Sequence, residues 1–109
     1  MKPFEEAMAS ELVALLRAGV PPRGIHLTAR DMVVTRIERG QLGAREVSEA
    51  AEAAVRAARR LVRELDASDE LAEIVCRSAL EAVRGHGGES ARWLTEATSA
   101  ACAALDELA

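Results

Sequence analysis

A regular spacing of apolar residues between positions 44 and 65 is the feature that most constrains this fold. Apolar side chains recur there at alternating intervals of four and three residues, at Val47, Ala51, Ala54, Ala58, Leu61 and Leu65. This period places them on one face of an α-helix and does not match the two-residue period of a β-strand. Glutamates crowd the first half of the segment and arginines its second half, an order that complements the helix dipole. The segment therefore predicts a long amphipathic helix.

The remaining sequence divides into further helical segments at its glycines and prolines. Gly19 is expected to end the first helix in a left-handed turn, residues 20–24 to form a loop, and Gly85 to end the penultimate helix. Five helices are then expected, over about residues 3–18, 28–39, 44–65, 68–84 and 89–108. The sequence predicts a single all-α domain over residues 1–109, a small bundle of four to five helices.

Charge and composition exclude several classes of protein. The chain of 109 residues has a net charge of -4 and only 2% aromatic residues, which argues against a nucleic-acid binder. No stretch approaches the roughly 20 apolar residues that span a bilayer. Glu5 and Glu6 lie where a signal peptide would need an apolar run, so a cytoplasmic location is expected.

The segment 68–84 is apolar around most of its circumference, with only a narrow polar stripe. Such a helix is either central in its domain or covered by a partner chain. Because large apolar residues are sparse elsewhere, we expect a second copy to add burial, and a homodimer is favoured over a monomer. The expected interface combines this helix with the single tryptophan, at Leu71, Ile74, Val75, Leu80, Val83 and Trp93.

Histidines and cysteines are too few and too scattered to predict a metal site. His26 and His86 lie in predicted loops and are expected to be exposed, whereas Cys76 and Cys102 are expected to be structural thiols. Their spacing contains no CxxC, HxxxH or Glu-x-x-His pattern. No metal and no cofactor are therefore predicted.

A glycine-rich stretch after the penultimate helix is the best candidate for a ligand site. Bare backbone amides and positive side chains could hold a small anion there, at Arg84, His86, Gly87, Gly88 and Arg92. The stretch lacks the pattern of a phosphate-binding loop, and Glu89 adds a negative charge. A flexible turn is the favoured interpretation, and anion binding is kept as an alternative.

The remaining candidates for chemistry have simpler interpretations. Arginines gather on one helix face at positions 56, 59, 60 and 63, which dipole compensation explains without a nucleic acid. No serine lies in a Gly-x-Ser-x-Gly elbow, and no catalytic residue is predicted.

These observations favour a non-enzymatic helical interaction or assembly module that self-associates through apolar helix faces, with a further protein partner as a possibility. The first alternative is a small-anion or small-molecule binder that uses the stretch from Gly85 to Arg92. A further alternative is an amphipathic protein that coats a lipid or polymer granule.

Overall fold

Four α-helices make up the computed structural model, which describes residues 3–40, 44–68, 70–87 and 99. These helices are α1 (Pro3–Arg17), α2 (Pro22–Gly40), α3 (Ala44–Glu64) and α4 (Glu70–Gly87). No strand occurs in these ranges. The prediction of an all-α helical bundle is confirmed.

The four helices share their contacts unequally. The most extensive packing joins α4 to α2 and to α3, and α1 lies mainly on α3. Of the helix pairs in contact, α1 and α2 touch least, and no contact joins α1 to α4 in the described residues. Helix α4 is therefore covered by two neighbours of its own chain, whereas a cleft runs between α1 and α2.

The core follows the predicted apolar stripes closely. In α2 the buried residues recur every fourth position, at Ile25, Ala29, Val33 and Ile37. In α3 the predicted face is buried from Val47 to Leu61, but Leu65, the last member of this apolar pattern, is 52% exposed. It lies just past the end of α3, beyond the packed face. Alanines dominate this face, which lets neighbouring helices approach closely.

Helix α1 ends as its sequence predicts. Gly19 has a φ of 71°, and the amide of Val20 donates to the Leu15 carbonyl at 3.0 Å. The amide of Gly19 donates to the Leu16 carbonyl at 3.2 Å. These two bonds satisfy carbonyls that the helix end would otherwise leave free.

Helix α2 begins six residues earlier than expected, and the prediction of a loop through Gly24 is wrong. Pro22 is its first residue, and a proline fits there because first-turn amides have no partner within the helix. The amides of Gly24 and Ile25 both donate to the Pro21 carbonyl, at 2.9 and 3.1 Å. Burial of Ile25 on α2 adds an apolar anchor to this first turn.

Helix α4 begins two residues after its expected start and continues past its expected end. The Ser68 hydroxyl accepts a hydrogen bond from the Glu70 amide at 3.2 Å. The helix then runs through Gly85 to Gly87, so the expectation that Gly85 ends it is wrong. Glycine disfavours a helix by only about 1 kcal/mol, which the packing of the preceding turn can outweigh. The predicted helix over 89–108 lies outside the described residues.

Candidate functional site

A polar cluster joins α2 to α4 and runs from the buried Ser78 out to the exposed Glu81. His26 and Arg30 lie one turn apart on α2, and Ser78 and Glu81 lie about one turn apart on α4. The imidazole Nδ1 is 2.8 Å from the Ser78 Oγ, and its Nε2 is 3.1 Å from the Glu81 Oε2. Arg30 donates to the other oxygen of Glu81 at 2.6 Å. The prediction that His26 is an exposed loop residue is therefore wrong, because it connects two packed helices.

The hydrogen bonds of the cluster specify where its protons lie. The Ser78 hydroxyl donates to the Ile74 carbonyl, one turn earlier in α4, at 2.8 Å. Since a hydroxyl has one proton, Nδ1 of His26 must donate to this oxygen. The Nε2 side of the ring faces the Glu81 carboxylate, so His26 lies between a hydroxyl and a carboxylate.

Glu81 is held in its charged form by its neighbours. The hydrogen bond from Arg30 is the main cause that lowers the pKa of Glu81, and the positive charges of His26 and Arg30 lower it further. Partial desolvation opposes them without reversing the direction. The carboxylate therefore serves as the counter-ion of Arg30 and also contacts His26.

The serine, histidine and glutamate resemble the components of a nucleophilic triad, but the serine cannot act as one. Ser78 is fully buried, and its proton is committed to the helix backbone. A nucleophile needs an open position beside its oxygen for the substrate and a base that takes its proton. Ser78 has no such open position, so the geometry of this cluster is that of a contact between helices.

Between α1 and α3, a second set of charges is also paired. Glu5 is buried beside Arg56 and Arg60, at 3.7 and 3.9 Å. Arg60 also contacts Glu6 at 3.1 Å, and that hydrogen bond is the main cause that raises the pKa of Arg60. The predicted contact of Glu52 with Arg56 along the helix is present. Two of the four clustered arginines thus bind the start of α1, which the interpretation by helix dipole alone had missed.

The α1–α2 cleft differs from both of these contacts. We use this name for the groove of about 550 Å³ whose wall includes Phe4 and Glu11 of α1 and the α2 face from Thr28 to Gly40. Its apolar floor comes from Phe4 and Met32, which are half-buried. Four charged side chains border it: Glu11, Asp31, Arg36 and Arg39. All four are exposed, and none forms an ion pair with any other part of the chain that the structure describes.

The predicted interface residues lie mostly inside the bundle. Leu71, Val75 and Val83 are buried in the core, whereas Ile74 and Leu80 are half-buried against it. The apolar circumference of α4 is thus covered by α2 and α3 of the same chain. Trp93 lies outside the described residues. Helix α4 therefore does not supply the apolar surface that was expected to join two copies, and a dimer would need another surface.

The predicted anion stretch is only partly described. Arg84 is exposed on α4, and the backbone of His86 and Gly87 belongs to the last turn of that helix. These residues therefore do not form the flexible turn that the glycines predict. Gly88 and Arg92 lie outside the described residues.

Metal ligands do not gather in the described ranges. There, no three histidine, cysteine or acidic side chains lie close enough together to hold a metal ion. Cys76 is buried, as expected for a structural thiol. Cys102 is not among the described positions.

The polar cluster and the α1–α2 cleft were both missed by sequence reasoning. A usable signal exists, because His26 and Arg30 share one face of α2 just as Ser78 and Glu81 share one face of α4. That spacing becomes informative only once α2 is known to begin at Pro22 and to lie against α4.

Comparison of the chain with protein-family models, with curated proteins and with solved structures found no match. Within the described part, no helix combines the length and the apolar character that crossing a bilayer requires.

Proposed function

We propose that this chain is a non-enzymatic helical interaction module that self-associates through the α1–α2 cleft. The proposal is supported by a difference in ion pairing between the charged residues around the cleft and those at the other helix contacts. Ion pairs bridge α1 to α3 and α2 to α4, whereas the four charges around the cleft have no such partner among the described residues. Unpaired charges that surround an apolar floor are typical of a surface that a partner completes.

The order of these charges favours a second copy of the same chain as the partner. Along α2, Asp31 lies one to two turns before Arg36 and Arg39 on the face that borders the cleft. A two-fold axis would lay a second α2 antiparallel to the first, so that each Asp31 meets an arginine of the other copy. A surface with this order of charges is complementary to itself. Phe4 and Met32 supply the apolar contact between the two charged ends.

Charge reversal at either end of this surface tests the reciprocal pairing. Asp31→Arg and Arg39→Asp each place like charges opposite each other in both halves of a symmetric dimer. We expect each variant alone to dimerise at least about tenfold more weakly than the wild type, a change of about 1.4 kcal/mol. An equimolar mixture of the two variants restores both opposite-charge contacts, so it should form a heterodimer. Sedimentation velocity over a concentration series measures all three samples.

Matched controls are Glu73→Arg and Arg84→Asp, which reverse exposed charges on α4 outside the cleft. Both controls should dimerise like the wild type. A wild-type protein that stays monomeric at every concentration reached would overturn the proposal. So would a dimer that both cleft reversals leave unchanged. If the protein is a monomer and the cleft reversals lower its stability, another segment of the same chain covers the cleft. That result would also contradict self-association.

A further inference from the structure

A small cavity lies beside the polar cluster, at the start of α2. Its volume is about 260 Å³, and it is lined by Pro22, Arg23, His26, Ile74, Arg77 and Glu81. We call it the α2–α4 pocket. It is smaller than the 300–1,000 Å³ that is usual for drug-sized ligands, so a small ion or molecule fits it better.

Positive charge exceeds negative charge among the described residues that line this pocket. Glu81 is the only carboxylate of that set, and this group is already held by Arg30 and His26. Arg23 and Arg77 also line the pocket, and neither forms an ion pair with a residue that the structure describes. In a protein with a net charge of -4, this is a local excess of two positive charges.

The backbone adds to the same positive field. The described helices α1, α3 and α4 each have glutamate in the first turn, whereas α2 has none and carries Arg23 there. A cation at the positive end of a helix dipole is unfavourable by itself. The Arg23 guanidinium and the dipole of α2 both favour an anion nearby. The amides of Gly24 and Ile25 are bonded to the Pro21 carbonyl and are not available to it.

From this geometry we infer that the α2–α4 pocket binds a small oxyanion with two negative charges, of the phosphate class. Guanidinium groups present paired donors that match the oxygens of phosphate, and two of them balance its charge. His26 is fixed on both ring nitrogens by Ser78 and Glu81, so this wall of the pocket is held in place before a ligand binds. Ile74 supplies the apolar part of the wall, and both arginines are exposed. This site is separate from the α1–α2 cleft, and its test does not depend on self-association.

Inorganic phosphate is the probe for this inference. Titration into the ¹⁵N-labelled protein, with chloride at matched ionic strength as reference, should give saturable shifts of the Arg23 and Gly24 amide signals. The double variant Arg23→Gln with Arg77→Gln should bind phosphate at least tenfold more weakly. Arg17→Gln removes an exposed arginine that does not line the pocket, and it should bind like the wild type.

A variant that should bind phosphate more tightly distinguishes a loss of binding from a loss of folding. Among the described lining residues, Glu81 carries the only negative charge. Glu81→Gln removes that charge and frees Arg30, so phosphate should bind severalfold more tightly. The inference is overturned if phosphate causes no saturable shift beyond that of chloride. It is equally overturned if the double variant binds like the wild type, or if Glu81→Gln weakens binding.

Discussion

The Nδ1 of His26 lies 2.8 Å from the Oγ of Ser78, a contact between two helices at positions 52 residues apart. It connects the second turn of α2 to the buried middle of α4, because Ser78 itself is fully buried. On the other side of the ring, Glu81 joins the same histidine to Arg30. This chain of polar contacts fixes how two Ala-rich helices sit against each other, which apolar packing of small side chains specifies less sharply.

Loss of the Ser78 hydroxyl should destabilise the fold. Ser78→Ala leaves Nδ1–H of His26 without its acceptor in a part-buried position, so we expect a loss of about 1 kcal/mol in the free energy of unfolding. Urea denaturation measures this difference. Ser10→Ala, at an exposed position of α1, is the control and should stay within about 0.5 kcal/mol of the wild type. Equal stability of the two variants would show that the contact contributes nothing.

Stability should depend on pH through Glu81. Its pKa is lowered in the folded state, chiefly by the hydrogen bond from Arg30, so the carboxylate stabilises the fold above its unfolded pKa of about 4.3. That contribution is lost as the pH falls through the folded-state pKa. The wild type should therefore be more stable than Glu81→Gln at about pH 6, and the two should converge in acid.

Thermal unfolding of both proteins over a pH series, from about pH 6 downward, measures this convergence. Glu73→Gln is the control, since Glu73 is exposed on the same helix and no described residue forms an ion pair with it. Its difference from the wild type should show no such trend. A gap between wild type and Glu81→Gln that persists unchanged into acid would contradict the assignment.

Two glycines should respond to alanine in opposite directions. Gly85 lies inside α4 with free space around it, so Gly85→Ala should stabilise the protein by roughly 0.5–1 kcal/mol. Gly19 has a φ of 71°, so Gly19→Ala should destabilise it by about 1 kcal/mol or more. Chemical denaturation measures both changes. Destabilisation by Gly85→Ala would mean that α4 ends there, as its sequence alone predicts.

Two leucines of one apolar pattern, in α3 and just past its end, should contribute very different amounts to the free energy of unfolding. Leu61 is 3% exposed and Leu65 is 52% exposed. Leu61→Ala should cost about 2–5 kcal/mol of unfolding free energy, whereas Leu65→Ala should stay within about 0.5 kcal/mol. Denaturant midpoints of the two variants test this. Similar losses for both would show that the apolar face extends past the end of α3.

Local sequence patterns predict much of this fold. The alternating spacing in α3 predicts both the helix and its buried face, because a helix repeats its contacts every 3.6 residues wherever it lies. The same reasoning fails at helix ends. Pro22 opens α2 and Gly85 continues α4, since proline and glycine shift local preferences by amounts that packing can exceed.

The sequence by itself determined the helical class, the buried stripes and the left-handed end of α1 at Gly19. Each of these depends on residues within one or two turns of each other. Only the tertiary structure decided that Glu81 pairs with His26 and Arg30, and that α4 is covered by its own chain. Only the tertiary structure leaves a cleft between α1 and α2. Contacts between positions more than 50 residues apart depend on how whole helices pack, and no local period encodes that packing.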